Sequence, residues 1–365
     1  MVSRSFLLIA AILFLTSCKD DSTGNFQTLA LDFTGVWQGG YTDTVRNDSG
    51  TFVVEISQNK DAVRGELVMK SFTSNKTADL FIKGTVSGTH LAVSLDSASI
   101  PYRFEFILQA SLTDSQHLSG NFRYFADSLN AVFRIRKLHK GNITVIDSID
   151  IKPSVRSITC SAGQLWVSTL DNYFILTTQP AIVDSLIVLI DIGSVTDLRW
   201  TSGTLASNGT VLWGDLPSSI SNGPDFSHIL KFSKQGVVLK TFDIPHRTNG
   251  LAFDGRNLWS LNVFQNTADC FDTTGVFTGR IPIRVPDAIH LEHTPDSCFW
   301  CLGWYLKELY KVGIDGNIRS VYDLPKGILN YYPVGIAFDG THFWYSRENS
   351  TVAGYGSIIY KLLVV

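Results

Sequence analysis

Five tryptophans in the C-terminal part of the chain, Trp166, Trp213, Trp259, Trp300 and Trp344, recur at spacings of 47, 46, 41 and 44 residues, each closing a similar decapeptide. Gly250-Leu-Ala-Phe-Asp-Gly-Arg-Asn-Leu-Trp259 aligns without a gap on Gly335-Ile-Ala-Phe-Asp-Gly-Thr-His-Phe-Trp344, and weaker copies run from Ser157, Thr204 and Leu291 to their own tryptophans. Such a period means one supersecondary unit per repeat, stacked on its neighbours because no unit buries its apolar face alone. In each copy the first half alternates as an inner strand, Asp-Gly or Asn-Gly supplies a tight hairpin, and the Leu/Phe-Trp pair opens the next strand. Further turns at Gly236, Gly275 and Gly316, and strand ends near Pro245, Pro282 and Pro325, complete four strands per copy, the content of a propeller blade. The last copy runs out after a third strand at Ile358 to Val364. Its missing outer strand is expected from Ile143 to Ile151, ahead of the first copy, so that the two ends of the domain close the ring and leave no open edge.

The segment before it has another rhythm. From Leu31 to Leu138, short alternating runs near 36–43, 51–58, 62–69, 79–86, 89–95, 102–112, 116–124 and 130–138 predict eight antiparallel strands. Breaks are expected at Asn47-Asp48-Ser49-Gly50, Ser87-Gly88 and Thr113-Asp114-Ser115. Eight such strands can close into a barrel. The fold class is therefore all-β: an eight-stranded antiparallel barrel followed by a five-bladed β-propeller with N/C-terminal strand closure.

The first residues carry an address. Arg4 precedes an uninterrupted apolar run from Phe6 to Leu15, too short to anchor in a bilayer, that ends in Leu15-Thr16-Ser17-Cys18. These residues resemble the lipobox of bacterial lipoproteins, which implies a signal peptide over 1–17 and a lipidated Cys18. A polar tether over 18–30 follows, with the barrel at 31–139 and the propeller at 141–365. The lipid anchor would hold the protein at the bacterial outer membrane, on its periplasmic or cell-surface face.

Two further resemblances concern the domains. Thr34-Gly35-Val36-Trp37 resembles the Gly-x-Trp of lipocalins and related calycin barrels, and implies that Arg134 or Arg136 on the last strand covers the Trp37 ring. The five repeats with their closure resemble the glutamine cyclotransferase-like group of five-bladed propellers. That group places an acidic catalytic residue beside the Gly-Leu of an inner strand. Here the matching positions read Thr248-Asn249-Gly250-Leu251 and Pro333-Val334-Gly335-Ile336, without a carboxylate.

The net charge of −3, with signs interspersed and no basic stripe, argues against a nucleic-acid partner. Four cysteines besides Cys18 leave three disulfide connectivities or the reduced state open. His290, Glu292, His293, Cys298 and Cys301 have types that bind zinc, but residues three apart on a strand point to opposite faces unless a bulge intervenes. Structural or disulfide roles are expected for them, and no metal or cofactor is assigned. The repeat alignment sets Arg156, Gly203, Asn249, His290 and Val334 at equivalent starts of inner strands, where a propeller opens its central channel. Loops around that mouth add Asp171, Asp215, His246, Arg247, Asp287, Trp304, Tyr305, Tyr331, Tyr332, Arg347 and Glu348. From these, Arg156, Asn249, Asp287, His290, Tyr332, Arg347 and Glu348 are the candidate ligand contacts. No catalytic residue is assigned. The expected function is a ligand-binding or protein-interaction module for a small molecule, glycan or protein. The alternative is a propeller enzyme of glutamine cyclotransferase-like or lactonase-like type with its site at the channel mouth.

Overall fold

A computed structural model describes residues 31–96, 106–124, 129–151, 154–169, 173–176, 182–186, 204–217, 226–325, 332–351 and 354–365. The signal and tether expectations, including Cys18, lie outside the described residues, as do Asp171, Gly203 and Tyr331.

Eight strands pair antiparallel in chain order: β1 (Gly35–Asp43), β2 (Asp48–Asn59), β3 (Ala62–Ser71), β4 (Thr77–Ser87), β5 (His90–Leu95), β6 (Phe106–Asp114), β7 (His117–Tyr124) and β8 (Leu129–Lys137). β8 returns to β1, with Trp37 opposite Lys137, so the sheet is a closed barrel. The first turn comes earlier than its residue types suggested, because the Asp43 carboxylate accepts from the Val45 and Arg46 N–H groups and β2 resumes at Asp48. Inward residues fill the barrel: Trp37, Tyr41, Phe52, Phe122 and Phe133 belong to one buried cluster, with Phe52 edge-on to Phe133 at 5.4 Å. The expected arginine cover of Trp37 is corrected here. Ala131, Phe133 and Ile135 take the inward positions of β8, so Arg134 and Arg136 point outward; Lys137, next in the inward series, places its ammonium 5.5 Å from the Trp37 ring centre.

Two short segments leave the barrel. β9 (His139–Gly141) lies parallel to the outer strand of one blade, and β10 (Ile143–Ile151) runs to another. The first blade is β11 (Val155–Ser161), β12 (Gln164–Thr169), β13 (Tyr173–Leu176) and β14 (Ile182–Leu186). The second is β15 (Leu205–Ser207), β16 (Val211–Pro217), β17 (Ser227–Ser233) and β18 (Val238–Ile244). The third is β19 (Thr248–Phe253), β20 (Leu258–Asn262), β21 (Thr267–Phe271) and β22 (Phe277–Pro282). The fourth is β23 (Ala288–Thr294), β24 (Cys298–Gly303), β25 (Glu308–Gly313) and β26 (Ile318–Asp323), extended by β9. β27 (Pro333–Phe338), β28 (Phe343–Thr351) and β29 (Gly354–Val364) form the fifth with β10, whose Ile143 pairs with Val364 and Ile151 with Ser357. Inner strands β11, β15, β19, β23 and β27 each touch the next, and β27 touches β11, closing the ring.

The repeat consensus now has physical causes. A Cβ on Gly250 would fall 2.7 Å from the His290 Cα of the neighbouring inner strand, so glycine permits the close approach of two blades. Asp254 accepts from the Trp259 indole N–H at 2.7 Å and from the N–H groups of Arg256 and Asn257; Asp339 does the same for Trp344 at 2.9 Å and for Thr341 and His342. These hairpin acids are turn formers, as their repeat position predicts. Lysines on the third strand lie over three of the tryptophans: Lys231 over Trp213, Lys311 over Trp300 and Lys361 over Trp344.

Barrel and propeller are packed together. Val36, Val53 and Val68, outward-facing on β1 to β3, are fully buried in one cluster with Leu261, Val285, Tyr310 and Ile318 of the propeller. Burial of each valine contributes about 1.5–3 kcal/mol. Around them Arg136 donates to the Ile318 carbonyl, and Lys140 pairs with Glu55 at 2.7 Å and Asp323 at 2.9 Å.

Candidate functional site

Ladder registers show how the mouth is built. Pairing slips between Val155 and Ser157, Thr248 and Leu251, Ile289 and Leu291, and Pro333 and Gly335. The residues left over are Arg156, Asn249 with Gly250, His290 and Val334, the equivalent positions of the repeat. A bulge re-aims the side chain it carries, so one local irregularity, repeated around the ring, sets these residues apart from the ladder. His290 holds a left-handed backbone, φ 54°. Burial pushes its imidazole down to a pKa of about 4, so it is neutral at physiological pH.

The candidate residues fall into two groups. On one side, Arg156 lies 3.7 Å from Glu348, which also accepts from the Ser154 hydroxyl at 3.4 Å. Arg347, buried, turns to the third strand of its blade, lying over the Tyr360 ring and donating to its hydroxyl. On the other side, Asn249 and Asp287 line a cleft of about 260 Å³ together with Trp304, Tyr305 and Phe264. Tyr332 stacks on Trp304 with centroids 4.4 Å apart and planes 12° off parallel.

The barrel roofs this cleft, which the alternating pattern did not foretell. Lys70 at the end of β3, Asn75 in the β3–β4 turn and Thr77 opening β4 line it too. Ser71 N–H donates to the Lys76 carbonyl, the Ser71 hydroxyl caps Ser74, and Asn75 takes the left-handed conformation its type tolerates. Lys70 is only 5% exposed and donates to the Val263 carbonyl. Burial pulls its pKa down to about 8, against the pull of Asp287. The Asp287 carboxyl is raised to about 6 by burial, although the Tyr305 N–H at 2.7 Å and the Leu306 N–H oppose the shift, and Asp79 of the barrel adds to it. Glu66 on the same barrel face is pushed to about 7 by burial and by Asp79.

The acids that a mouth-centred chemistry would combine stay apart in their bonding. Asp215, fully buried, accepts from the Thr204 N–H and hydroxyl at 2.7 and 3.0 Å, Asp287 from Tyr305, and Glu348 pairs with Arg156. His246 is held by the Ser260 hydroxyl at 2.9 Å beside Asp269, whose carboxylate is clamped by Arg280. Cys160, Cys270, Cys298 and Cys301 are unpaired thiols. Among the described residues, the one set of three His, Cys, Asp or Glu side chains with ligand atoms within 4.8 Å of one another is Glu55, Glu308 and Asp323, at the seam between barrel and propeller, where Lys140 bridges two of them.

Fold and site together define an eight-stranded barrel docked on a five-bladed propeller, with a cleft where the barrel overhangs the channel mouth. No protein-family model matches the chain, and no curated protein matches it. Among solved structures it is similar to the glutaminyl cyclase of Myxococcus xanthus, at 11% identity and a TM-score of 0.46, over 63% of this chain and 100% of that one. It is also similar to a gluconolactonase of Xanthomonas campestris, at 12% identity and 0.39, over 71% and 82% of the two chains. Regucalcin of Agrobacterium tumefaciens gives 13% identity and 0.36, over 71% and 87%.

Proposed function

We propose that the chain is an exported lipoprotein, tethered to a bacterial membrane through Cys18, that holds a ligand in the cleft between its barrel and its propeller mouth. The observation that supports this reading is the composition of the cleft: two domains each contribute a buried charged residue, Lys70 and Asp287, beneath an aromatic rim. Pockets with a few polar groups among apolar and aromatic walls are the usual form of ligand sites. The test is a thermal-shift screen of the full chain in detergent against small molecules, sugars and peptides. Stabilising compounds should lose their effect in Asn249→Ala, and hits that survive this change would locate binding elsewhere. Anchoring has its own test: Cys18→Ser should release the protein from the membrane fraction, and retention there would refute lipidation.

A second reading, acyl transfer or lactone hydrolysis at the mouth, draws on Asp287 alone. A carboxyl with a pKa of about 6 exchanges protons near neutrality and suits general acid–base work. Turnover of N-terminal glutaminyl peptides or simple lactones by the parent, lost in Asp287→Asn, would replace the binding reading with this one.

A further inference from the structure

We infer, on the reading that the cleft is the ligand site, that its ligand is a neutral saccharide. The charges in the cleft are largely committed to the protein, with the buried Asp287 Oδ1 left as an open acceptor. Lys70 donates to the Val263 carbonyl and faces Asp287, while Asp287 takes the Tyr305 N–H at 2.7 Å. The two charges offset each other, so a ligand with net charge would leave a desolvated space with an unbalanced charge.

Besides this carboxylate oxygen, which accepts but does not donate, the polar groups left over are neutral. The Asn249 amide, the Trp304 indole N–H and the Tyr305 and Tyr332 hydroxyls make no hydrogen bond to another described residue. Asn249 sits in a bulge that spans two residues, outside the ladder that would otherwise fix its direction. A purely apolar ligand would strand these groups at about 1–3 kcal/mol each. Sugar hydroxyls both donate and accept, so they can answer an amide, an indole N–H and a phenol without bringing charge.

The rim supplies the other half of the match. Phe264, Tyr305 and Tyr332 are each more than a third exposed, and Tyr332 is held in place by stacking on Trp304. Aromatic faces carry a negative quadrupole and pack well against the C–H faces of a pyranose ring. The volume of about 260 Å³ lies just below the usual range of ligand pockets, about 300–1,000 Å³, so the fit is to one ring or the end of a longer glycan.

The experiment titrates the full chain, in a detergent without a sugar headgroup, by calorimetry and saturation-transfer NMR. The probes are methyl glucoside, methyl galactoside, N-acetylglucosamine and cellobiose, with glucuronic acid and glucosamine as charged counterparts. At least one neutral sugar should bind saturably, the charged counterparts about tenfold more weakly or worse. Asn249→Ala and the rim variant Phe264→Ala should each weaken binding by about five- to tenfold with the thermal midpoint unchanged. Failure of every neutral sugar to bind, or binding that ignores both variants, overturns the inference. Binding of a charged probe in preference, still dependent on Asn249, overturns the neutral-ligand inference while leaving the cleft as the site.

Discussion

Barrel and propeller bury their aromatic residues in opposite places. The barrel packs Trp37, Tyr41, Phe52, Phe122 and Phe133 into its centre and keeps a cavity of about 300 Å³ by Tyr41, Met69 and Tyr124, whereas the propeller puts its repeat tryptophans between strands of the blades and keeps half-buried Arg156, Asn249 and His290 on the strands that line its channel. The barrel meets the propeller through its outside: Val36, Val53 and Val68 dock it, and Lys70, Asn75 and Thr77 overhang the cleft. An eight-stranded barrel is wide enough to hold one small ligand. In this chain the same shell is a wall and a roof for its neighbour.

The sharpest way to break that contrast is to charge the docking face. Val53 and Val132 both point outward from the barrel, but Val53 is fully buried against the propeller and Val132 is 55% exposed. Val53→Asp should destabilise the protein by on the order of 3 kcal/mol or more, because the carboxylate is buried without a partner, and should open the seam to limited proteolysis. Val132→Asp should cost less than about 0.5 kcal/mol. Equal effects in urea unfolding would mean that the barrel does not rest on the propeller.

The seam also carries a pH dependence. Glu308 is fully buried, accepts from the Tyr310 hydroxyl at 2.6 Å and is pushed to a pKa of about 8 by burial; Asp215, inside the propeller, is pushed to about 7 by burial. A carboxyl whose folded pKa lies above its unfolded value favours folding at low pH, and that contribution is lost as pH rises through the folded value. Stability should therefore fall between pH 6.5 and 8 by on the order of 2 kcal/mol. His290 with its low pKa is neutral in the folded state throughout that range, and Lys70 reverses the trend only above about 8. Glu308→Gln should flatten the slope of thermal midpoint against pH, and an unchanged slope would assign the effect to other groups.

How much of this was readable in advance depended on whether a residue's environment is local. Blade count, ring closure and the equivalent starts of the inner strands were legible because each repeat copy is built by its own turn and strand residues, Asp254 and Asp339 above all, and the alignment transfers the same geometry from blade to blade; the bulges at those starts were not. The cleft was legible by half. Asn249, Asp287 and Tyr332 belong to that repeat, but Lys70 sits in the outward series of β3 with Glu66 and Val68, where a charged residue reads as solvent-facing. Only docking, which joins residues about two hundred positions apart, makes it a buried group. A faint signal was present: Val36, Val53 and Val68 are apolar on the outward side of three adjacent strands, a stripe that asks for cover.

A smaller effect tests the repeat logic itself. Asp254→Ala removes the acceptor of the Trp259 indole and of two backbone N–H groups, and should cost about 1–3 kcal/mol in thermal or urea unfolding. In the first copy the same position is Ser161, and the Trp166 indole lacks a partner there. Ser161→Asp offers one, and should be neutral or stabilising if the acid acts as the hairpin geometry indicates. Loss of stability in that variant would show that the weaker copies are built differently.

The smallest expected effect compares one device used in both domains. Lys137 lies over Trp37 in the barrel at 5.5 Å, and Lys311 over Trp300 in the fourth blade at 5.4 Å. In each case a cross-strand register sets the lysine opposite the indole, Trp37 against Lys137 and Trp300 against Lys311. Replacing lysine by methionine keeps the apolar stem over the ring and removes the charge, so it isolates the cation–π part, about 0.5–1 kcal/mol at exposed sites. Lys311 has a second partner, the Asp296 carboxylate at 2.6 Å, and that exposed pair adds at most about 1 kcal/mol. Lys311→Met should therefore cost slightly more than Lys137→Met at low salt, and the two should converge as salt screens the ion pair. If the gap persists at 1 M salt, the difference lies in how tightly each ring is packed, and the lysine is a lid in one domain and a bystander in the other.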